Sequence, residues 1–178
     1  MVVLRKKHFG WAVFAGLSLS ATAALAGGTP SAAPGYLDRP GIWRGLYGGL
    51  SLGHVDGDHD DGGIAGGVQL GYNWQSNQFV YGVEGDISVT NSDRIDWLGS
   101  LRGRVGYLLQ PNLLVYGTAG VGFVDTGNTD SVFVWGLGIE NKFTPTMSGR
   151  LEYLQYNNDS VHGDDISVIR AGLNFKLP

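Results

Sequence analysis

The chain has 178 residues, the size of one ordinary domain, and its 16 acidic and 12 basic residues give a formal net charge of −4. This acidic balance argues against nucleic acid as a partner, and the absence of cysteine excludes a scaffold held by disulfides. The 30 glycines, 5 tryptophans, 8 tyrosines and 7 phenylalanines are an unusual mixture for a soluble domain, and the glycines lack the three-residue period of collagen.

The first 26 residues have the three parts of a secretory signal peptide. Basic residues occupy positions 5–7, a charge-free stretch follows, and the sequence ALA ends at Ala26. A membrane anchor would need about 20 strongly apolar residues, whereas Gly, Ser and Thr dilute this stretch. We therefore predict a signal peptide, residues 1–26, that is cleaved after Ala26. Cleavage removes three basic residues and no acidic one, which changes the net charge from −4 to −7.

Residues 27–42 are rich in Gly and Pro without periodicity, which predicts a flexible N-terminal arm. After residue 42 the apolar residues recur at every second position, which indicates strands and not helices. Around position 103, for example, Leu101 and Val105 alternate with Arg102 and Arg104. The pattern predicts eight strands, at residues 44–54, 63–75, 78–90, 95–109, 113–124, 131–143, 147–157 and 165–177.

These strands favour a membrane-spanning barrel over a soluble barrel with an apolar interior. They have about 11 to 15 residues, and a tilted strand needs about 9 to 11 to cross a bilayer. Short links (SN, QPN and TPT) alternate with longer acidic ones, as in outer-membrane barrels. Since a sheet in hydrocarbon can have no free edge, residues 43–178 are predicted to form an all-β, eight-stranded antiparallel transmembrane up-and-down β-barrel.

The polar face of the strands carries charges of both signs at mid-strand, where a narrow lumen would lie. An eight-stranded barrel is just wide enough for side chains to fill, so the inward charges should pair with each other and leave no sizeable open pore. In particular, Arg102 and Arg104 should pair with acids of the third, sixth or seventh strand. The predicted lumen ion-pair network consists of Glu84, Asp86, Arg102, Arg104, Glu140, Arg150, Glu152 and Arg170.

Several motifs resemble the small outer-membrane β-barrel proteins of alphaproteobacteria, often called porin-like surface antigens. WRGLYGG, from Trp43 to Gly49, has the W-x-G-x-Y-x-G pattern that opens this family, and WLGSLRGRVGYLL, LLVYGTAGVGF and RAGLNFKL are similar to its later strands. The resemblance covers about Trp43 to Leu177. It implies an exported barrel in the bacterial outer membrane, with both termini in the periplasm and lipid, lipopolysaccharide and the barrel assembly machinery as partners. That machinery usually reads a terminal aromatic residue, whereas this chain ends in Pro178.

The first acidic link, HVDGDHDDGG, starts like a calcium loop. Asp61 stands where an EF-hand needs glycine and Gly67 where it needs a bidentate carboxylate, so an EF-hand is excluded. A looser divalent-cation site at Asp56, Asp58, Asp60 and Asp61 stays open. Calcium or magnesium would then bridge the acidic links to lipopolysaccharide phosphates, whereas in the alternative the aspartates only solvate the loop.

Other motifs give weaker indications of function. GTAGVG has the wrong order for a phosphate-binding loop, and no cofactor is predicted. His54, His59 and His162 fall in predicted outer loops near Ser160, but no spacing places a nucleophile beside a base. The aromatic residues predict an interfacial girdle more simply than a sugar platform; they are Tyr72, Trp74, Tyr81, Trp97 and Tyr107.

The leading hypothesis is a non-enzymatic outer-membrane barrel that contributes to envelope integrity and surface properties. Three alternatives stay open: an adhesin or host-contact protein that acts through its loops, a lipid-modifying enzyme, and a soluble carrier barrel.

Overall fold

The computed structural model describes residues 41–57, 60–91, 97–125, 129–157 and 166–178. These residues form eight strands: β1 (Gly45–Gly57), β2 (Asp60–Ser76), β3 (Phe79–Thr90), β4 (Trp97–Gln110), β5 (Leu113–Asp125), β6 (Thr129–Lys142), β7 (Met147–Asn157) and β8 (Ile166–Lys176). In the parts of the chain that the structure describes, no helix is both long and apolar enough to cross a membrane.

Each strand pairs antiparallel with the next, and β1 also pairs with β8, so the sheet is a closed barrel. The closing ladder is long: it runs from Tyr47 opposite Lys176 to Gly57 opposite Ile166. Closure gives the backbone groups of both terminal strands a partner, which a sheet surrounded by hydrocarbon requires. The predicted all-β, eight-stranded antiparallel barrel is confirmed.

The two ends of the barrel differ. One end, here called the turn end, carries the short links β2–β3, β4–β5 and β6–β7 together with the start of β1 and the end of β8. The opposite end, here called the link end, carries the connections β1–β2, β3–β4, β5–β6 and β7–β8.

The residues that alternate in the sequence face the lumen and the outer surface of the barrel in turn. Along β4, Leu101, Val105 and Tyr107 are exposed, whereas Arg102 and Arg104 are buried. Leu50, Val68 and other apolar residues continue this outward surface on the remaining strands. An apolar outer surface around a charged interior reverses the arrangement of a soluble barrel and is typical of a barrel in lipid.

The first predicted link is wrong in length. We expected it to run from about Val55 to Gly62, but β1 continues to Gly57 and β2 begins at Asp60. Ladder pairing extends into the acidic stretch, past an irregularity between Val55 and Gly57. Pairing provides partners for the backbone N–H and C=O groups, which outweighs the low strand propensity of Gly and Asp.

A polar interior was expected from the sequence, but only part of the lumen is polar. Towards the link end, Val55, Leu98, Val134, Leu154 and their neighbours form a buried apolar cluster. At the turn end, Trp43, Val80, Leu108, Leu114 and Tyr116 form a second one. The charged residues therefore occupy the middle layer, between two apolar layers that keep water from it.

Candidate functional site

The middle of the lumen brings all eight predicted network residues together. The four arginines and the four acids lie on five strands and have side chains that are at most 4% exposed. Four positive and four negative charges leave this layer electrically balanced. Balance matters here because an uncompensated charge in a low-dielectric interior is strongly unfavourable.

Glu84 on β3 is the centre of the network. Its carboxylate accepts hydrogen bonds from Arg150 Nη1 at 2.5 Å, from Arg102 Nη2 at 2.7 Å and from the Tyr47 hydroxyl at 2.6 Å. Nitrogens of the other two arginines, Arg104 and Arg170, lie 3.9 and 3.7 Å from its oxygens. One carboxylate thus contacts guanidinium groups from β4, β7 and β8.

Asp86 and Glu152 extend the network towards the link end. Arg102 Nη2 donates to Asp86 Oδ1 at 2.6 Å, and Arg170 Nη1 donates to Asp86 Oδ2 at 3.2 Å. Glu152 accepts from Arg170 Nε at 2.8 Å and from Arg102 Nη1 at 3.3 Å. Ser100 completes the shell of Asp86 with a hydrogen bond of 2.6 Å. Arg102 on β4 and Arg170 on β8 therefore tie β3 to β7, so that four strands are linked across the lumen.

Arg104 and Glu140 form the pair nearest the turn end, with Nη2 and Oε2 2.8 Å apart. The other oxygen of Glu140 accepts from Ser148 Oγ at 2.5 Å and from Asn174 Nδ2 at 3.0 Å. The Arg104 guanidinium lies over the Tyr116 ring, with its carbon 4.1 Å from the ring centroid. The ring attracts the cation through its quadrupole and shields the ion pair from water.

The uncharged members of this layer were not predicted. Tyr47, Ser100, Tyr116, Ser148 and Asn174 each donate a hydrogen bond to a network carboxylate. Their inward phase is visible in the alternation, but phase alone does not show which carboxylate an uncharged side chain reaches. The signal that could have found them is their register, because Ser148 and Asn174, for example, are directly paired on β7 and β8.

Side chains fill the lumen almost completely. Two interior cavities within the described residues have volumes of about 10 Å³ each, one beside Ser51 and Ser88 and one beneath Trp43. A space of this size holds about one water molecule. The site is therefore a filled, charged layer, with no room among the described residues for a passing solute. Not every donor in it is used: Arg102 Nε, Arg104 Nε and two nitrogens of Arg150 are buried without a hydrogen-bond partner.

The structure describes only some of the candidate metal-binding and catalytic residues. Asp56 and His54 lie in β1 with exposed side chains, so His54 is in a strand and not in a loop. Asp58, His59, Ser160, His162 and Ala26 lie outside the described residues, as do the side chains of Asp60 and Asp61. The described residues contain no group of three or more His, Asp or Glu side chains placed to hold a metal ion. The divalent-cation site therefore stays a prediction.

The exposed aromatic residues lie towards both ends of the barrel, and four of them form two ring pairs at the turn end. Trp74 stacks on Tyr81 with ring centroids 5.9 Å apart, and Phe79 meets Tyr107 edge to face at 5.4 Å. All four belong to the outward face within a few residues of the β2–β3 and β4–β5 turns. Amphipathic aromatic residues prefer the boundary between hydrocarbon and water, so this end of the barrel marks one such boundary.

Comparisons with known proteins agree with this architecture. Residues 12–176 match the family model described as outer membrane protein beta-barrel domain. The chain is 35% identical to a 22 kDa outer membrane protein of Rhizobium leguminosarum bv. viciae, over 77% of this chain and 79% of that protein. It is 34% identical to a 25 kDa outer-membrane immunogenic protein of Brucella melitensis, over 76% and 79%. Among solved structures, the outer membrane enzyme PagL superposes with a TM-score of 0.56 at 14% identity, over 74% of this chain and 99% of that one.

Proposed function

Since the chain belongs to the outer membrane protein beta-barrel family and lies in the bacterial outer membrane, we propose that it is a non-enzymatic barrel that contributes to envelope integrity and surface properties and forms no sizeable open pore. The turn end faces the periplasm in this proposal, as the resemblance to small surface antigens implies, and the link end faces outwards.

The observation that carries the proposal is the sealed middle layer of the lumen. A solute would have to break the contacts of Glu84 with four arginines and then cross an apolar cluster on either side. Separating a buried ion pair costs several kcal/mol per uncompensated charge. A barrel that holds its strands together in this way supports a role in the membrane itself, as a rigid element of the envelope, more than a role in transport.

The relatives support the surface part of the proposal. The Brucella melitensis protein is described as an immunogenic outer-membrane protein, and it aligns with about three quarters of this chain. The likeness to an outer membrane enzyme has 14% identity and shows the fold alone, so it provides no residue for a catalytic role.

The pore part is tested by reconstituting the folded barrel in planar bilayers. We expect little or no stable conductance. Large, long-lived single-channel steps would contradict the sealed lumen.

The envelope part is tested by deleting the gene and measuring sensitivity to detergents and to large antibiotics. Wild type should restore resistance, and a His54→Ala/His59→Ala/His162→Ala variant should restore it equally, because these histidines have no catalytic role in the proposal. A triple variant that folds, as a heat-modifiability gel would show, but does not restore resistance would favour an enzyme. A deletion without any envelope defect would contradict the integrity role.

A further inference from the structure

A small cavity lies between the charged layer of the lumen and the apolar cluster towards the link end. Its walls come from both layers: Arg170 belongs to the ion network, and Leu98 and Val168 belong to the apolar cluster. The cavity has a volume of about 10 Å³, which is room for one water molecule. Three residues with hydroxyl groups also line it, namely Ser51, Ser88 and Tyr156.

None of these three hydroxyl groups has a hydrogen-bond partner among the residues that the structure describes. Tyr156 is 2% exposed and Ser88 is 9% exposed, so both are buried, and Ser51 is half-buried. Buried hydroxyl groups are nearly always hydrogen-bonded, because an unpaired one loses its contacts with solvent and gains none in return. Unpaired hydroxyl groups around one cavity of this size therefore indicate a polar partner inside it.

The sheet brings the three hydroxyl groups together from different walls of the barrel. Ser51 on β1 and Ser88 on β3 are both paired with Gly67 on β2. A Cβ at Gly67 would overlap Ser88 Oγ, so the serine side chain leans over the glycine, which has no side chain of its own. In the closed order of eight strands, β7 stands opposite β3, and Tyr156 therefore approaches the cavity from the far wall.

Water fits these walls better than an ion does. The Arg170 guanidinium would repel a cation. An anion would add negative charge to a layer that is already balanced, because Arg170 donates to Asp86 and Glu152. A hydroxyl group can both donate and accept a hydrogen bond, and a water molecule offers two donors and two acceptors in return.

We propose that the cavity binds one water molecule, which is hydrogen-bonded to Ser51, Ser88 and Tyr156. The water connects β1 and β3 to β7 across the lumen, one level beyond the charged layer. It thereby joins strands that are not neighbours in the sheet. The proposal depends neither on the orientation of the barrel nor on its envelope role, so it can fail while the proposed function stands.

The first experiment is a high-resolution crystal structure of the folded wild-type barrel, from crystals grown in chloride and, in parallel, in bromide. We expect one electron-density peak in the cavity, about 2.5 to 3.0 Å from at least two of the three hydroxyl oxygens, and no anomalous signal there in bromide. A bromide signal would overturn water as the ligand and show an anion beside Arg170. An empty cavity, or a direct hydrogen bond between Ser88 and Tyr156 that closes it, would overturn the site itself.

The second experiment is a double-mutant cycle with Ser88→Ala and Tyr156→Phe. It measures the equilibrium constant for urea unfolding of barrels folded into lipid vesicles, with heat-modifiability gels to confirm that each variant folds. Each substitution removes one hydroxyl group from the water and should raise the constant about tenfold. The double variant should raise it by clearly less than the product of the two single effects, because the first substitution already loosens the shared water.

Ser88→Ala combined with Tyr153→Phe is the matched control for this cycle. Tyr153 lies on the same strand as Tyr156 but on the outward face, where its hydroxyl donates to Gln155, so the two effects should multiply. Effects of Ser88→Ala and Tyr156→Phe that also multiply would overturn the proposal, since no shared molecule would then join the two hydroxyl groups. An equal shortfall in the control pair would overturn it too, because the coupling would not be specific to the cavity.

Discussion

The ring of Tyr116 on β5 lies directly over Gly138 on β6. The two residues are register partners, and a Cβ at Gly138 would be 2.4 Å from Cζ of the tyrosine. The same ring carries the Arg104 guanidinium on its face and donates from its hydroxyl to Glu152 at 3.2 Å. The missing side chain at Gly138 therefore sets where an aromatic ring, an arginine and a carboxylate sit in the network.

Gly138→Ala should destabilise the barrel by about 1 to 3 kcal/mol, the usual cost of overpacking a filled interior. The methyl group would displace the Tyr116 ring and thereby lengthen the contact between Arg104 and Glu140. The measurement is the free energy of unfolding in urea of barrels folded into lipid vesicles. Gly66→Ala is the control, because a Cβ there meets nothing within 4 Å. Equal effects of the two substitutions would contradict the packing argument.

Glu84→Gln should be the most damaging single charge removal in the lumen. The substitution keeps the volume but leaves four arginines facing three acids, and Arg150 loses its 2.5 Å partner. Removing one partner of a buried ion pair typically costs about 3 to 5 kcal/mol. Val83→Ala, at the neighbouring lipid-facing position, should cost much less. In a double-mutant cycle with Arg150→Gln, additive losses would show that the two side chains are not coupled.

Substitutions at the adjacent residues Arg104 and Val105 test which side of β4 faces the lumen and which faces the lipid. Arg104 is 3% exposed and Val105 is 64% exposed to the surroundings of the barrel. Arg104→Leu should lower the free energy of unfolding, whereas a neutral substitution at Val105 should leave it nearly unchanged. A fluorophore at position 105 should be quenched by a lipid-soluble quencher, and one at position 104 should not. The reverse result would mean that the strand phase is wrong.

The strict period of two made the strands and their phase predictable. Along β4, both arginines were expected inside, with Leu101, Val105, Tyr107 and Leu109 outside, and the structure has them so. The partners inside the lumen were harder to predict, because Glu84 meets Arg150 only after the barrel has closed and set the stagger of β3 against β7. The strand phase alone places both residues inward, but it does not fix their positions along the barrel axis.

The apolar ends of the lumen were missed for a different reason. Val80, Leu98 and Leu154 occupy inward positions, but isolated apolar residues on a mixed face give no periodic signal. Trp43 was read as the start of a family motif and not as an interior residue. Its position depends on the turn at residues 41–43, where Arg44 N donates to Gly41 O at 3.1 Å and the chain folds under the barrel.

Trp43 braces the base of the barrel from within. Its indole N–H donates to the carbonyl of Pro111 in the β4–β5 turn at 3.0 Å, and its backbone N–H donates to Gln75 Oε1 on β2 at 3.1 Å. The ring also packs on Lys142 of β6. A residue that precedes β1 thus connects β2, the β4–β5 turn and β6, and it also packs with Val80, Leu108 and Leu114 in the apolar cluster of the turn end.

Trp43→Ala should therefore destabilise the barrel by about 3 to 5 kcal/mol, the usual range for a buried tryptophan. The substitution leaves a cavity and removes the indole hydrogen bond to Pro111 and the ring contact with Lys142, whereas the backbone bond to Gln75 is kept. Trp74→Ala, at the same end but on the lipid-facing surface and 38% exposed, should cost less. The measurement is again urea unfolding in vesicles, with heat-modifiability gels to follow folding. Conductance should stay near zero in Trp43→Ala, because the charged layer above still fills the lumen. Stable channels in this variant would show that Trp43, and not the charged layer around Glu84, blocks the lumen.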